Sequence, residues 1–499
     1  MNDKTLTSQF QLFPQNTLDP LRRVEEVGFW LEAYRQGVRA DPLRVYQVVD
    51  RLDSLVQEHR MAVTREYLDG GGRQQTYRER RTWNAMMHLA HELAAGYETS
   101  LQLYQAGAPN AEVLTPLVPT ITARAMRSLT LGLRWALMRY ASVEPSMWSR
   151  MGALLAYAER GRFMSERFKV YPEMAGDSTV RREYLRALVL SISGTENLLP
   201  ASQVVAERVI ATVAEFFLLH RRPAPGAHFA VDLLASRPPY RVGDGVAPSR
   251  TVRFFGPGDA GVMVERLTQR TIELDHAPDD LGLQSDFSAG TVLEVLDHLS
   301  RHWAPNPPAR SEVRQRVLST LNVAHGFDKV YDAVSAEQGS ADLDEITEAW
   351  TVENESSGGF GAALPARDSD WLAVGTLVAA KPTWPASWSV GVIRRLSTDE
   401  TGRRAVGVQV LARGGVPVTL QPLWNGGTDR PWIGVLLPSE SQTSLAGGEV
   451  MLVLPRGIVS WNSPYSMAVH GHTYAVQPRR LVENGDDFEI VSFSIAKGR

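Results

Sequence analysis

The chain has 499 residues, more than a single hydrophobic core usually serves, so its length predicts roughly two to four domains. Hydrophobic residues make up 43% of it and charged residues 22%, a composition typical of globular rather than disordered proteins. The net charge of -4 argues against a nucleic-acid polymer as partner, and the absence of cysteine excludes disulfides, thiol catalysis and cysteine-bound zinc.

Residues 1–20 are predicted to be a loose polar tail, without the charged-then-apolar pattern of a secretory signal. The most apolar helical stretch, Val204 to Leu219, is interrupted by charged residues such as Glu207 and Arg208. Because such a helix is too polar to cross a bilayer, no transmembrane segment is predicted, and we expect a cytoplasmic protein.

Residues 21–222 carry a helical signal throughout. Apolar residues recur at helical spacing, and proline marks predicted helix starts in Asp41-Pro42, at Pro145 and at Pro200. Long helices with short connections predict antiparallel packing, either as a helical bundle or as a stack of helical hairpins. The sequence contains no repeat period that selects between these two architectures.

Two polar clusters in the helical region suggest functional hypotheses. His88 and His91 stand three residues apart, but no third ligand is placed beside them, so we interpret them as core or surface residues and predict no metal site. Arg78, Arg80 and Arg81 follow a run of three glycines. We interpret these arginines as the solvated start of a helix, in preference to an anion site.

A small α/β segment is predicted for residues 227–304. Within it, Gly256 to Gly261 matches G-x-G-x-x-G between a predicted strand and a predicted helix, the pattern of a dinucleotide-binding loop. In that alternative, Thr271 to Asp275 would form the next strand. Pro257, however, removes a backbone N–H from the loop, and no second half of such a fold follows. We therefore interpret the loop as a glycine turn and rank an enzyme built on it as the third hypothesis.

Short strands separated by glycine and proline turns predict a small antiparallel barrel over residues 309–423. Its first strand is predicted from Arg314 to Val323 and to continue through Phe327 to Val334. Residues 425–499 are also β-rich, and this C-terminal extension either completes the same barrel or forms a second one. The expected fold is therefore a multidomain α + β protein: a helical region, a small α/β segment, and a barrel with a β-rich extension.

Two motifs mark the barrel segment. Arg310 and Arg314 form R-x-x-x-R, and Asn354, Ser356 and Gly359 form N-x-S-x-x-G between two predicted strands. In this order, and followed by a Gly-Val-Gln-Val strand, they resemble the PilZ domain, a bacterial signalling domain that binds cyclic di-GMP. The resemblance covers about a fifth of the chain and does not extend to the helical region. An acidic insert between the two motifs makes their separation longer than is usual in that family.

The resemblance implies a six-stranded barrel that binds cyclic di-GMP across its rim, with the arginine segment folding over the ligand. Guanidinium groups suit this role because they form bidentate bonds to phosphate and to the O6/N7 edge of guanine. The asparagine and the serine would bond a guanine edge, and the glycine would allow close approach. The ligand-binding residues so implied are Arg310, Arg314, Asn354, Ser356 and Gly359, with no catalytic residue and no cofactor.

The first functional hypothesis is a cytoplasmic cyclic di-GMP receptor whose helical region passes the bound state to an unidentified protein partner. The second is a scaffold or adaptor with a PilZ-like barrel that no longer binds nucleotide. Neither is an enzyme, because the sequence contains no nucleophile elbow, P-loop or paired carboxylates with placed partners.

Overall fold

The computed structural model describes residues 19–37, 41–69, 77–173, 176–243, 248–283, 287–306, 315–336, 347–356, 358–364, 371–382, 387–398, 403–423, 431–438 and 448–495. It divides into two compact units, residues 1–309 and residues 310–499. In the described part of the chain, no helix is both long enough and apolar enough to cross a membrane.

The first unit is mainly helical, as the sequence predicts. Its long helices are α1 Pro20–Gln36, α2 Pro42–Asp69, α3 Tyr77–Gln105, α4 Val118–Met138, α5 Ser146–Gly161, α6 Val180–Ile192, α7 Pro200–Val213, α8 Ala260–Leu274 and α9 Ala289–Trp303.

Several of these helices begin at a side chain that caps them. The Asp41 carboxylate accepts hydrogen bonds from the N–H groups of the first turn of α2. Thr179 accepts from the Arg182 N–H at the start of α6, and Ser288 accepts from the Thr291 N–H at the start of α9. Because these oxygens satisfy otherwise unpaired N–H donors, the helix starts are set by local sequence.

One hydrophobic core extends from Leu21 in α1 to Trp303 in α9. It therefore includes side chains from both the predicted helical region and the predicted α/β segment, so these two segments share this core, beside a smaller cluster of Ala230, Val252 and Phe254 in the sheet.

The first unit also contains a four-stranded sheet, with the order β1-β4-β2-β3. Its strands are β1 Leu218–His220, β2 Phe229–Asp232, β3 Tyr240–Arg241 and β4 Val252–Gly256. All of its pairings are antiparallel.

A dinucleotide-binding fold needs a parallel sheet at its glycine loop, so the antiparallel neighbours of β4 contradict the dinucleotide alternative. The strand of that alternative, Thr271 to Asp275, is wrong as well, because the helix α8 continues to Leu274.

The glycines of this loop serve packing. A Cβ on Gly256 would lie 1.8 Å from the carbonyl oxygen of Gly226, and one on Gly258 would lie 2.6 Å from that of Phe216. Gly258 also has φ of +51°, in the left-handed region. The loop thus needs glycine to bring β4 close to neighbouring backbone.

The second unit contains two closed six-stranded barrels. The first barrel has the order β10-β7-β6-β5-β8-β9 and comprises β5 Gln315–His325, β6 Glu348–Ser356, β7 Gly359–Leu364, β8 Leu377–Pro382, β9 Ser389–Thr398 and β10 Arg404–Arg413. The second has the order β11-β12-β13-β16-β15-β14 and comprises β11 Val416–Pro422, β12 Trp432–Leu437, β13 Glu449–Pro455, β14 Tyr465–Val469, β15 His472–Asn484 and β16 Phe488–Ile495. The predicted antiparallel barrel is confirmed, and the C-terminal extension forms its own barrel rather than completing the first. Residues 416–422, which the sequence assigns to the first barrel, pair with β12 and β14 of the second.

One predicted strand is a helix. Phe327 to Val334, expected to continue the first strand, lies in α10 Phe327–Ala336. Gly326, with φ of +78°, ends β5, and the following apolar residues recur three to four apart and are buried on one face. The short apolar run is compatible with the periodicity of a strand or of a helix, and the turn at Gly326, which ends β5, favours the helix.

Candidate functional site

The N-x-S-x-x-G motif forms the hairpin that joins β6 to β7 at one rim of the first barrel. Ser356, the last residue of β6, lies opposite Gly359, the first residue of β7. The Ser356 hydroxyl donates a hydrogen bond of 3.2 Å to the Gly359 carbonyl oxygen. This bond closes the hairpin, so Ser356 has a structural role at the rim whether or not a ligand is bound.

Polar side chains alternate along the end of β6. Asn354 and Ser356 are half-buried, whereas Glu353 and Glu355 between and beside them are exposed. Such alternation is typical of a strand with one face toward the barrel interior and one toward solvent. Asn354 and Ser356 therefore lie where the inner face of the strand reaches the rim.

Two glycines bring the strands close together around these side chains. A Cβ on Gly361, which lies opposite Asn354, would be 2.8 Å from both terminal atoms of the asparagine amide. A Cβ on Gly359 would be 2.2 Å from the carbonyl oxygen of Val408 on β10. Gly361 thus leaves room for the Asn354 amide, and Gly359 is required by the close approach of a neighbouring strand.

The first strand of the barrel begins at the same rim. Gln315 lies opposite Glu355, and Arg316 lies opposite Asn354. Arg310 and Arg314 lie outside the described residues. The structure therefore brings together Asn354, Ser356 and Gly359 in one hairpin, and β5 begins beside that hairpin.

Sequence reasoning missed a residue at this rim, Gln409. It lies on β10 directly opposite Gly359. Its side-chain oxygen accepts a hydrogen bond of 2.8 Å from Arg394 Nε, and the Arg394 guanidinium also donates to both carboxylate oxygens of Glu483 in the second barrel, at 2.6 and 2.7 Å. The Gly-Val-Gln-Val run indicated the strand, but only its register places Gln409 next to the hairpin.

An aromatic stack lies at the opposite end of β5. The rings of His325 and Trp371 are 3.8 Å apart and nearly parallel, and Trp371 stacks in turn on Trp350 at 5.8 Å. Burial, with a smaller contribution from Lys329, lowers the pKa of His325 to about 4. The imidazole is therefore neutral near pH 7 and serves as a packed aromatic ring.

The paired histidines of the helical unit also have ordinary partners. His88 Nε2 lies 3.2 Å from a Glu32 carboxylate oxygen, and His91 Nε2 lies 4.0 Å from one of Glu92. Over the described ranges, no three histidine, aspartate or glutamate side chains gather as a metal site would require.

No curated protein matches the sequence. Among solved structures, the chain is similar to the Bacillus subtilis inhibitor of motility (MotI/DgrA), with 8% identity over 36% of this chain and 88% of that one. The TM-score of that match is 0.11, so it carries no argument.

Residues 15–224 match a family model described as the N-terminal domain of the cyclic-di-GMP receptor FimW. This match falls on the helical region, for which the motifs indicated no family, and it does not extend to the barrel motifs. The helical part of the chain is therefore similar to the N-terminal domain of a cyclic di-GMP receptor family.

Proposed function

We propose that the chain is a cyclic di-GMP receptor of the PilZ type, which binds the dinucleotide at the rim of the first barrel. One observation carries the placement of this site: β5 begins opposite Glu355 and Asn354, at the hairpin that holds Ser356 and Gly359. Arg314 directly precedes β5 in the sequence. The match of the helical region to a cyclic di-GMP receptor family supports the choice of ligand.

The chemistry of the rim suits this ligand. Cyclic di-GMP offers two phosphates and two guanines, and Arg310 and Arg314 would divide the phosphate and guanine contacts between them. The half-buried amide of Asn354 both donates and accepts, as pairing with a guanine edge requires. No step of this proposal needs a nucleophile or a general base, so the function is binding rather than catalysis.

Isothermal titration calorimetry of the full chain with cyclic di-GMP tests the proposal. Wild type binds, and Arg314→Ala loses about tenfold to a hundredfold in affinity, because a charge-assisted bidentate contact contributes about 1.5–3 kcal/mol. Arg310→Ala loses less, since Arg310 is further from β5 and follows prolines in the sequence. The absence of binding in wild type would contradict the proposal.

A glycine pair refines this test. Gly361→Ala places a methyl group against the Asn354 amide and should weaken cyclic di-GMP binding about as much as Asn354→Ala, by roughly one neutral hydrogen bond or 0.5–1.5 kcal/mol. Gly407, which pairs with Gly361, is the matched control because, among the described residues, a Cβ there meets only Arg395, at 3.3 Å. If Gly407→Ala weakened binding as much as Gly361→Ala, the loss would reflect barrel distortion and not the position of Asn354.

The second candidate function is a scaffold whose barrel does not bind nucleotide. The observation that favours it is the Ser356 hydroxyl, which already donates to the Gly359 carbonyl and so has a purely structural use. In that case titration with cyclic di-GMP would give only the heat of dilution, and saturating ligand would leave the melting temperature of the wild type unchanged.

A further inference from the structure

A surface cleft lies between α1 and α3 of the helical unit. The two helices run parallel, since Glu25 pairs with Arg81 near one end and Arg35 pairs with Glu92 near the other. At the end where α3 begins, the helices leave a cleft of about 740 Å³.

Two aromatic rings of the cleft face water. Phe29 of α1 is 62% exposed and Tyr77 of α3 is 78% exposed, although both line the cleft. Exposed aromatic side chains grouped in one concave surface are typical of protein contact sites, because their apolar area is removed from water only when a partner binds.

One arginine of the cleft has no counter-charge among the residues that the structure describes. Arg78 and Arg81, its neighbours in α3, pair with Glu66 and Glu25. Arg80 is exposed and makes no hydrogen bond or ion pair within the described ranges. Asn84 lies four residues further on the same helical face, is also exposed, and is likewise unbonded within those ranges. The cleft thus presents an available guanidinium and an available amide beside the two rings.

The chain's own neighbouring segments carry no excess of negative charge to match Arg80. Residues 1–18, which precede α1, contain Asp3 and Lys4 and so have no net charge. Residues 70–76, which precede α3, contain Arg73 and no acidic residue. Charge complementarity therefore favours an occupant from another protein, with a carboxylate for Arg80.

We propose that this cleft binds an acidic amphipathic segment of a partner protein. A carboxylate of the segment would form a bidentate pair with Arg80, and its apolar face would cover Phe29 and Tyr77, as a helix does in a hydrophobic groove. This names the partner surface of the receptor proposed above and rests on that function for its signalling role, but peptide binding at the cleft needs no cyclic di-GMP.

Selection of a random-peptide display library on the full chain tests the proposal. The recovered peptides should combine aspartate or glutamate with leucine, phenylalanine or tryptophan. In anisotropy titrations they should lose about tenfold or more in affinity on Arg80→Glu and on Phe29→Ser. Arg160→Glu is the matched control, because Arg160 is also exposed and makes no ion pair in the described part of the chain, but lies on α5. It should leave peptide affinity unchanged.

Four results would overturn the proposal: no peptides recovered, peptides without carboxylates, affinity unaffected by Arg80→Glu and Phe29→Ser, or peptides recovered only after deletion of residues 1–18. A wild-type dimer that Arg80→Glu dissociates would also overturn it, in favour of a second copy as occupant.

Calorimetry with cyclic di-GMP separates the peptide-binding proposal from the receptor proposal. Arg80→Glu should bind the nucleotide like wild type, whereas Arg314→Ala should bind the peptides like wild type.

Discussion

At the scale of single residues, the helical unit is held together by buried charges with specific partners. Glu183 of α6 is only 2% exposed, and both of its carboxylate oxygens accept hydrogen bonds from Arg127, at 2.8 and 2.9 Å. Arg186 donates a further bond of 3.1 Å, and Ser178 donates another. Burial by itself raises the pKa of Glu183, but the two guanidinium groups outweigh it and lower the pKa to about 2.

Glu183→Gln should therefore destabilise the protein by about 3–5 kcal/mol at neutral pH, because it leaves buried guanidinium charge without a counter-charge. The folded-state pKa lies below the ordinary 4.5, so this stabilisation is present above pH 4.5 and is lost as the pH falls toward 2. Urea unfolding followed by circular dichroism should show the gap between wild type and variant shrinking through this range. The control is Glu166→Gln, at an exposed position, and it should change stability by less than about 0.5 kcal/mol. A gap that is constant with pH would contradict the assignment.

At the scale of elements, α10 depends on a cap from outside its own segment. The Phe327 N–H at its first turn donates a hydrogen bond of 2.7 Å to a carboxylate oxygen of Asp487, which stands between β15 and β16 of the second barrel. This bond joins residues 160 positions apart, so no local pattern around Phe327 indicates the cap. Because the local sequence does not show this cap, it does not distinguish a helix from a strand over Phe327 to Val334.

Asp487→Ala should remove this cap and lower the free energy of unfolding by about 0.5–2 kcal/mol. Asp487→Asn should retain most of the stability, since asparagine is an equally good capping residue. Chemical denaturation of the two variants measures the difference. Equal losses for alanine and asparagine would indicate that the carboxylate charge, and not the capping hydrogen bond, is what matters.

At the scale of the whole molecule, the two barrels share a hydrophobic core. Val330 and Val334 of α10 pack with Trp388 next to β9, and the same cluster contains Val435 and Phe488 of the second barrel. The Arg394–Glu483 pair joins the barrels a second time. Because neither barrel buries these residues alone, we expect the two barrels to fold and unfold together.

Phe488→Ala in the full chain should destabilise the barrel unit by about 3–5 kcal/mol, the usual cost of removing a buried phenylalanine. Hydrogen exchange measured by mass spectrometry should show protection falling together in peptides from both barrels. Phe488→Leu should produce the same pattern with a smaller loss. Loss of protection confined to residues 416–495 would mean that the barrels unfold independently.

The long helices of the first unit and the broad fold classes of both units are decided largely by local physical chemistry and are visible in the sequence, whereas α10 is not. Asp41, Thr179 and Ser288 cap the helices that follow them, and apolar periodicity separates the helical region from the barrels. The N-x-S-x-x-G motif likewise predicts its own hairpin, since Ser356 bonds a residue three positions away.

Only the tertiary structure decides which distant segments meet. Strand register places Gln409 and the start of β5 at the motif hairpin, the antiparallel neighbours of β4 contradict the dinucleotide alternative, and Asp487 caps the helix that follows Gly326. Arg80 and Arg81 are adjacent and chemically identical, yet within the described ranges only Arg81 meets a carboxylate, from a residue 56 positions away. Such pairings depend on the packing of whole elements, which no short stretch of sequence contains.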